Sequence, residues 1–314
     1  MDAGILIQFV ILIAGFVFLI KGSDFFVDGA SSVASILKIP TIIVGLTIVA
    51  FGTSAPEAAV SITSSLTGNN AMAVSNVIGS NLFNILLIIG LCAFLNELQI
   101  GRKLLEKDLP FLVIITILLS GFIVLNWNIS RIEGIILLLL VIGYVGYLVY
   151  TARKSVESQY VDEAKLTPLR SIIYIIIGFI GIVLGGNFVV DSASSIAITL
   201  GMSETLVGLT IVAIGTSLPE LVTSLTALKR DENELVIGNV IGSNIFNILF
   251  VLGASSTISP IVLQKSMIVD IALMIFVTVL CYVFARTQEK FDKKEGFILV
   301  SLFIAYMIFA ILRN

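Results

Sequence analysis

Two glutamates stand directly after a Gly-Thr-Ser-x-Pro segment, each inside a long apolar stretch. Glu57 follows residues 52–56, and Glu220 follows residues 215–219. A carboxylate at membrane depth costs at least about 2.5 kcal/mol, so each is a candidate functional group. Two carboxylates can neutralise one divalent or two monovalent cations. The pattern therefore indicates one cation site built from two parts of the chain.

The proline in each segment predicts additional oxygen ligands. Pro56 has no N–H, so the carbonyl of Gly52 loses its helical partner, and ring crowding loosens the turn around Thr53. In a membrane, irregular backbone is tolerated where it is buried in protein or lines a cavity. Pro219 stands in the same relation to Gly215. Freed carbonyl oxygens are therefore expected beside both glutamates.

Polar side chains continue each break at helical spacing, since residues four apart share one face of a helix. Four such stripes occur: Thr53, Glu57 and Ser61; Thr216, Glu220 and Ser224; Asn76, Ser80 and Asn84; and Asn239, Ser243 and Asn247. They offer carboxylates, hydroxyls and amides without imidazole, because the chain has no histidine. Such ligands favour Ca²⁺, Na⁺ or Mg²⁺ over zinc or copper. Mg²⁺ is the less natural choice because it gives up its water reluctantly.

Each part of this pattern also has a purely structural explanation. One Gly–Pro break can be a kink, one asparagine can form an interhelical hydrogen bond worth about 0.6–2 kcal/mol, and one glutamate can be protonated for packing. The duplication at fixed spacing favours the cation site. For Asn81 and Asn244, one residue outside the stripes, helix packing is the better interpretation. For Asp24, Asp28 and Asp191, near span ends, solvation by headgroups and a role in ion entry are both open.

The elements that must position these residues are transmembrane helices. The chain is 58% hydrophobic and 12% charged, whereas soluble proteins carry about 25% charged residues. Apolar stretches near the length that crosses about 30 Å of hydrocarbon lie at roughly 3–20, 40–66, 71–95, 108–127, 132–150, 171–191, 204–228, 235–259, 267–285 and 296–312. We therefore expect an all-α polytopic membrane protein with ten transmembrane helices.

The two halves of the chain resemble each other. Residues 44–90 align with residues 207–253 without a gap, at a constant offset of 163 (207 minus 44). Residues 1–150 and 171–314 would then each form a five-helix repeat, joined by a polar linker at 151–170. An odd number of crossings sends the second repeat into the membrane from the opposite side. The sequence thus predicts inverted repeats, an arrangement found in transporters.

The basic residues predict the orientation of the helices. If the N-terminus is outside, fourteen of the eighteen lysines and arginines fall on the cytoplasmic side; the exceptions are Lys21, Arg131, Lys265 and Arg313. The positive-inside rule therefore predicts a multi-pass protein of the cell membrane with both termini outside and the linker in the cytoplasm.

The two blocks resemble a known family. Gly-Thr-Ser-x-Pro-Glu at 52–57 and 215–220, followed by Gly-Ser-Asn-x-Phe-Asn at 79–84 and 242–247, is similar to the α1 and α2 repeats of the calcium/cation antiporter superfamily, in its prokaryotic sodium/calcium exchanger branch. The resemblance implies ten helices, with the second, third, seventh and eighth forming a core around the ions. It also implies that the first and sixth helices slide across this core.

The resemblance implies a set of ion ligands. Glu57 and Glu220 would bind Ca²⁺ with both carboxylate oxygens, together with backbone oxygens of Thr53 and Thr216. The Na⁺ sites would use Ala50, Thr53, Ser54 and Glu57 on one side, and Ala213, Thr216, Ser217 and Glu220 on the other. The centre would be completed by Ser80, Asn84, Ser243 and Asn247.

Two positions depart from the pattern or from the internal symmetry. Potassium-dependent relatives carry an aspartate where this chain has Asn247, so the neutral amide argues against K⁺ cotransport. Gly238 has Ser75 as its counterpart in the first repeat, and the sequence offers no explanation.

The expected function is secondary antiport of Ca²⁺ against Na⁺ in the lipid bilayer, with Ca²⁺ extruded as Na⁺ enters. Ca²⁺/H⁺ exchange is an alternative, because buried glutamates also bind protons. A cation channel is a weaker alternative, since it would need acidic residues or carbonyls around a continuous pore. We expect no enzyme, no cofactor and no nucleic-acid partner, and a monomer suffices.

Overall fold

The computed structural model describes residues 3–68, 70–155, 164–202, 211, 213–263 and 267–313. Nearly all of them are helical. The first half contains α1 (Ala3–Leu37), α2 (Thr41–Thr53), α3 (Ala55–Leu66), α4 (Asn70–Leu82, continued by Phe83–Ile89 and Gly90–Leu95), α5 (Leu104–Asp108 and Leu109–Asn126) and α6 (Arg131–Ser155). The second half contains α7 (Pro168–Thr199), α8 (Ala213–Thr216), α9 (Leu218–Lys229), α10 (Asn233–Phe246, Asn247–Val251 and Leu252–Ile258), α11 (Ile268–Gln288) and α12 (Lys293–Arg313).

Most of the predicted spans correspond to helices. Eight described helices are long and apolar enough to cross a membrane, and the bent pair α2–α3 makes a ninth. Of the predicted span 204–228, the structure describes α8 and α9, while residues 203–210 and 212 lie outside the described residues. The protein is therefore a mostly helical membrane protein, as expected.

The predicted spans 3–20 and 171–191 are too short. α1 continues to Leu37 and α7 to Thr199, so Asp24 and Asp28 lie inside a helix. The added part of α1 is polar on one side but buries Phe26, Val27 and other residues against the protein. Packing against neighbouring helices rather than uniform hydrophobicity therefore stabilises it.

α1 and α7 lie side by side and antiparallel, with glycines at the contact. A Cβ atom at Gly178 would meet the carbonyl oxygen of Gly22 at 2.7 Å, and one at Gly185 would meet the carbonyl oxygen of Gly15 at 2.7 Å. Small residues at such positions let two membrane helices approach closely. The offset of 163 converts Gly15 to Gly178 and Gly22 to Gly185, so the two contacts exchange under the sequence repeat.

The described part of the chain contains four two-residue strands near helix ends, which the sequence did not predict. β1 (Leu98–Gln99) pairs antiparallel with β4 (Lys290–Phe291), and β2 (Asn128–Ile129) pairs antiparallel with β3 (Ile261–Val262). The pairs Leu98 with Phe291 and Asn128 with Val262 tie the first half of the chain to the second at two separate places.

The centre of the molecule is formed by α4 and α10. All residues of α10 from Leu235 to Ile245 are buried, and most of α4 is buried as well. α1, α6 and α12 instead expose many large apolar side chains, as helices facing lipid do. The polar side chains of α4 and α10 therefore face other helices, where each needs a partner.

Candidate functional site

Both Gly-Thr-Ser-x-Pro-Glu segments interrupt a helix at their serine. α2 ends at Thr53 and α3 begins at Ala55, with a bend of 49° between them; α8 ends before Ser217 and α9 begins after it. Pro56 and Pro219 occupy the first turn of the new helix, where a missing N–H is not needed. The two predicted helix breaks are confirmed.

The glutamates lie at the start of the helices that follow the breaks. Glu57 and Glu220 are in the first turns of α3 and α9, and both are 0% exposed. The N-terminal end of a helix dipole favours negative charge there. The two carboxylates lie near each other, since Ser54, three residues before Glu57, contacts Glu220. Neither forms an ion pair with any described residue. Two neighbouring buried carboxyl groups without a basic partner form a centre suited to a cation.

Each break donates a hydrogen bond to the glutamate of the other break. Ser54 Oγ donates to Glu220 Oε1 at 2.8 Å, and Ser217 Oγ donates to Glu57 Oε1 at 3.0 Å. Ser80 Oγ lies 3.1 Å from Ser217 Oγ and donates to Glu57 Oε1 at 3.5 Å. The Oε1 atom of each carboxylate is thereby held by hydrogen bonds, while the Oε2 atom can still bind a ligand.

The asparagines that begin the α4 and α10 stripes clamp the broken helices. Asn239 Nδ2 donates to Ser224 Oγ at 3.0 Å and to the Glu220 carbonyl at 3.4 Å, while its Oδ1 accepts from Thr53 Oγ1 at 3.0 Å.

The first half repeats this arrangement. Asn76 Nδ2 donates to Ser61 Oγ at 2.9 Å and to the Glu57 carbonyl at 3.3 Å, and its Oδ1 accepts from Thr216 Oγ1 at 3.5 Å. The predicted convergence of the four stripes is confirmed.

Three further predicted residues, Ser243, Ala50 and Ala213, lie in or next to the same helices. Ser243 Oγ lies 3.5 Å from Thr53 Oγ1. Ala50 is buried, and its carbonyl accepts hydrogen bonds from Thr53 Oγ1 at 3.4 Å and from the Ser54 backbone N–H at 3.0 Å. Ala213 begins α8, but its side chain lies outside the described part of the structure.

Four buried oxygens, one on each polar stripe, lack a hydrogen-bond donor among the described residues. They are Glu57 Oε2, Glu220 Oε2, Asn84 Oδ1 and Asn247 Oδ1. A buried acceptor left unpaired costs about 1–3 kcal/mol, and more when it is charged. Two carboxylate and two amide oxygens are ligands that hard cations such as Ca²⁺ accept. A cation bound between these oxygens would remove the deficit.

Gly238 lies where α10 packs directly against α2. This close packing explains why the second repeat has glycine at the position where the first repeat has Ser75. A Cβ atom at Gly238 would meet the carbonyl oxygen of Ile42 at 2.8 Å and the Cα of Gly45 at 3.0 Å. Ser75, its counterpart in α4, is exposed and has room for a side chain. The two repeats therefore differ in packing here, and only the second requires glycine.

An ion-pair cluster outside the centre was not predicted. Arg230, directly after α9, pairs with Asp24 at 3.2 Å and also with Asp28, both on α1. Ser23 Oγ lies 3.2 Å from Thr223 Oγ1 nearby. A detectable signal was present in the sequence, because the offset gives Arg230 the counterpart Thr67, which is not basic. The cluster therefore joins α1 to α9 without an equivalent charge in the other repeat.

Comparison with known families decides what this architecture is. The model of the family described as "Sodium/calcium exchanger protein" matches residues 7–150 and 170–312. The chain belongs to the sodium/calcium exchanger family. Each matched segment of this exchanger contains one broken helix with its glutamate, and the interval between the two matches falls in the predicted linker.

Known proteins resemble this exchanger over nearly its whole length. The inner membrane protein YrbG of Escherichia coli (strain K12) is 32% identical over 312 residues, covering 95% of this chain and 94% of the relative. The sodium/calcium exchanger MaX1 of Methanosarcina acetivorans is 31% identical over 347 residues, covering 97% and 98%. The sodium-calcium exchanger NCX_Mj, in crystals soaked with Na⁺ and Sr²⁺, superposes with a TM-score of 0.87 at 31% identity, covering 97% and 98%.

Proposed function

We propose that this protein exchanges Na⁺ for Ca²⁺ across the cell membrane through one central site. The proposal rests on four buried oxygens that lack a hydrogen-bond donor among the described residues. Four different helices contribute them, and two of them belong to carboxylates. Ca²⁺ takes six to eight oxygen ligands, and two carboxylates neutralise its charge. The relatives MaX1 and NCX_Mj, whose names describe sodium/calcium exchangers, support the same pair of ions.

The proposed ion ligands are oxygens of the two helix breaks and of the polar stripes on α4 and α10. Glu57 and Glu220 would bind Ca²⁺, with the backbone of Thr53 and Thr216 at the helix breaks. Na⁺ would use the oxygens of each break, from Ala50 to Glu57 and from Ala213 to Glu220. The flanking groups are Ser80, Asn84, Ser243 and Asn247. Both ions would share the two carboxylates, so occupation by one excludes the other, as exchange requires. All these groups belong to one chain, so a monomer suffices.

Alternating access would follow from two inverted five-helix repeats. The reciprocal bonds between Ser54 and Glu220 and between Ser217 and Glu57 support such a pseudo-two-fold relation, as does the antiparallel contact of α1 with α7. These two helices would move together across the central helices and open the site to one side at a time.

The proposed orientation places both termini outside and the Arg230 cluster at the cytoplasmic side. The ion pairs of Arg230 with Asp24 and Asp28 join α9 to α1 and would then close a cytoplasmic path between these two helices. Export of Ca²⁺ driven by Na⁺ entry would require this cluster to separate once per cycle.

Ca²⁺/H⁺ exchange remains the second candidate because of one specific observation. Glu57 and Glu220 are adjacent, fully buried carboxylates, and protonation relieves both desolvation and like-charge repulsion. Two protons would balance one Ca²⁺ at the same oxygens.

Flux through the purified protein in proteoliposomes separates the two candidates. Vesicles loaded with Na⁺ and diluted into Na⁺-free, Ca²⁺-containing buffer should accumulate ⁴⁵Ca²⁺, without a requirement for K⁺. Vesicles loaded at low pH without Na⁺ should not. A protonophore in the Na⁺ arm and the Glu57→Gln protein provide the controls. Uptake that follows the pH gradient alone would establish H⁺ coupling, and uptake in neither arm would refute antiport.

A further inference from the structure

We propose that Asn81 and Asn244 are positioning residues that hold the amides of Asn84 and Asn247 with their oxygens turned toward the bound ion. The inference rests on the proposed function, since it concerns the same site. Asn81 and Asn244 lie one position outside the ligand stripes, where sequence reasoning favoured simple helix packing.

The contacts define which atom each amide presents. Asn84 Nδ2 donates to Asn244 Oδ1 at 3.0 Å, and Asn247 Nδ2 donates to Asn81 Oδ1 at 3.3 Å. Since the amino groups of Asn84 and Asn247 donate these hydrogen bonds, their Oδ1 atoms are the atoms that can face an ion. Both of these oxygens are buried and lack a donor among the described residues.

The two positioning asparagines are themselves held in one orientation. Asn81 Nδ2 donates to the Asn244 carbonyl at 3.5 Å, and Asn244 Nδ2 donates to the Asn81 carbonyl at 3.4 Å. If either amide rotated by half a turn, its amino group would face another amino group, and its oxygen would face a carbonyl. Two buried mismatches would result, so the four amides select a single arrangement.

An asparagine amide has nearly the same shape in both orientations, but opposite polarity. With the acceptor on Asn244 removed, Asn84 could turn its amino group toward the site, where N–H donors repel a cation. A packing residue fills space and affects folding, whereas Asn244 as a positioning residue affects ion affinity through the Asn84 amide that it holds. This difference makes the two roles separable.

A double-mutant cycle tests the assignment, since residues that act through one another are not additive. The proteins are Asn244→Leu, Asn84→Ala and the double variant, with Asn81→Leu and Asn247→Ala as the mirror-image set. The measurement is KM for Ca²⁺ in Na⁺-driven uptake. Asn244→Leu should raise KM about tenfold, the equivalent of one hydrogen bond of about 1.4 kcal/mol. In the Asn84→Ala background it should raise KM no further.

The same tenfold rise in both backgrounds would show that Asn244 acts by packing and would overturn the inference, as would no rise in either. Equilibrium ⁴⁵Ca²⁺ binding to the detergent-purified proteins repeats the cycle without transport. Gel filtration restricts the comparison to folded variants. Absence of Na⁺-driven flux in the wild-type protein would refute the proposed function, while the binding cycle would still decide the role of the asparagines.

Discussion

Replacement of Glu57 by glutamine should remove Ca²⁺ transport while leaving the fold intact. The change keeps the shape of the side chain but removes one of the two negative charges at the centre. It can also place an N–H donor at the position of Glu57 Oε2, which has no hydrogen-bond partner in the part of the chain that the structure describes. Because Glu57 is 0% exposed, water cannot replace the lost ligand.

The size of the effect has a lower bound. A unit charge about 2.4 Å from Ca²⁺ gains about 14 kcal/mol at an effective dielectric constant of about 20. Even if desolvation offsets nine-tenths of this, about 1.4 kcal/mol remains, which is a tenfold loss of affinity. Glu220→Gln should lose as much, since its contact with Ser54 matches that of Glu57 with Ser217.

The assay is ⁴⁵Ca²⁺ uptake into Na⁺-loaded proteoliposomes over a range of Ca²⁺ concentrations. Glu133→Gln is the matched control: Glu133 caps α6 through Ser130, a role that glutamine can also fill, so its KM should equal that of the wild type. A KM within threefold of wild type for Glu57→Gln or Glu220→Gln would show that the residue does not bind the ion.

Three further substitutions test other parts of the structure. Pro56→Ala restores an N–H that can bond the Gly52 carbonyl, so KM should rise for both ions in a folded protein. Unchanged KM values would show that the 49° bend has a structural role only and supplies no ion ligand. Gly238→Ala inserts a Cβ 2.8 Å from the Ile42 carbonyl oxygen and should lower the melting temperature by several degrees, since overpacking costs about 1–3 kcal/mol, whereas Ser75→Ala should leave it unchanged. Arg230→Gln breaks partly exposed ion pairs worth about 1 kcal/mol together. A Ser23→Cys thiol, in a protein lacking its native cysteines, should then react about fivefold faster with a thiol reagent added from the cytoplasmic side. Equal rates would contradict the closing role of the cluster.

The sequence predicted the broken helices and their polar stripes because both are local properties. Proline at 56 and 219 determines where a helix restarts, and the four-residue spacing determines which side chains share a face. The offset between the repeats then implied that the stripes meet. The individual bonds, such as Ser54 to Glu220, depend on the rotation of one helix against another, which local spacing does not specify.

Other features depended on contacts between distant parts of the chain. The extension of α1 to Leu37 is stabilised by burial of Phe26 and Val27 against other helices. A prediction from hydrophobicity alone therefore placed the end of this helix too early. The paired strands β1 and β4 are only two residues long and carry no detectable alternation. The ion pairs of Arg230 required knowledge of which helix α9 faces.

The serine of each break donates to the glutamate of the other break, so neither half of the chain alone contains a glutamate together with its serine donor. An isolated first half would have Glu57 without the hydroxyl of Ser217, and an isolated second half would have Glu220 without that of Ser54. In the proposed inverted arrangement, a separate five-helix protein with one such break would complete these bonds only by pairing with a second copy in the opposite orientation. Within one chain the two halves can also differ from each other, as Gly238 and its counterpart Ser75 do.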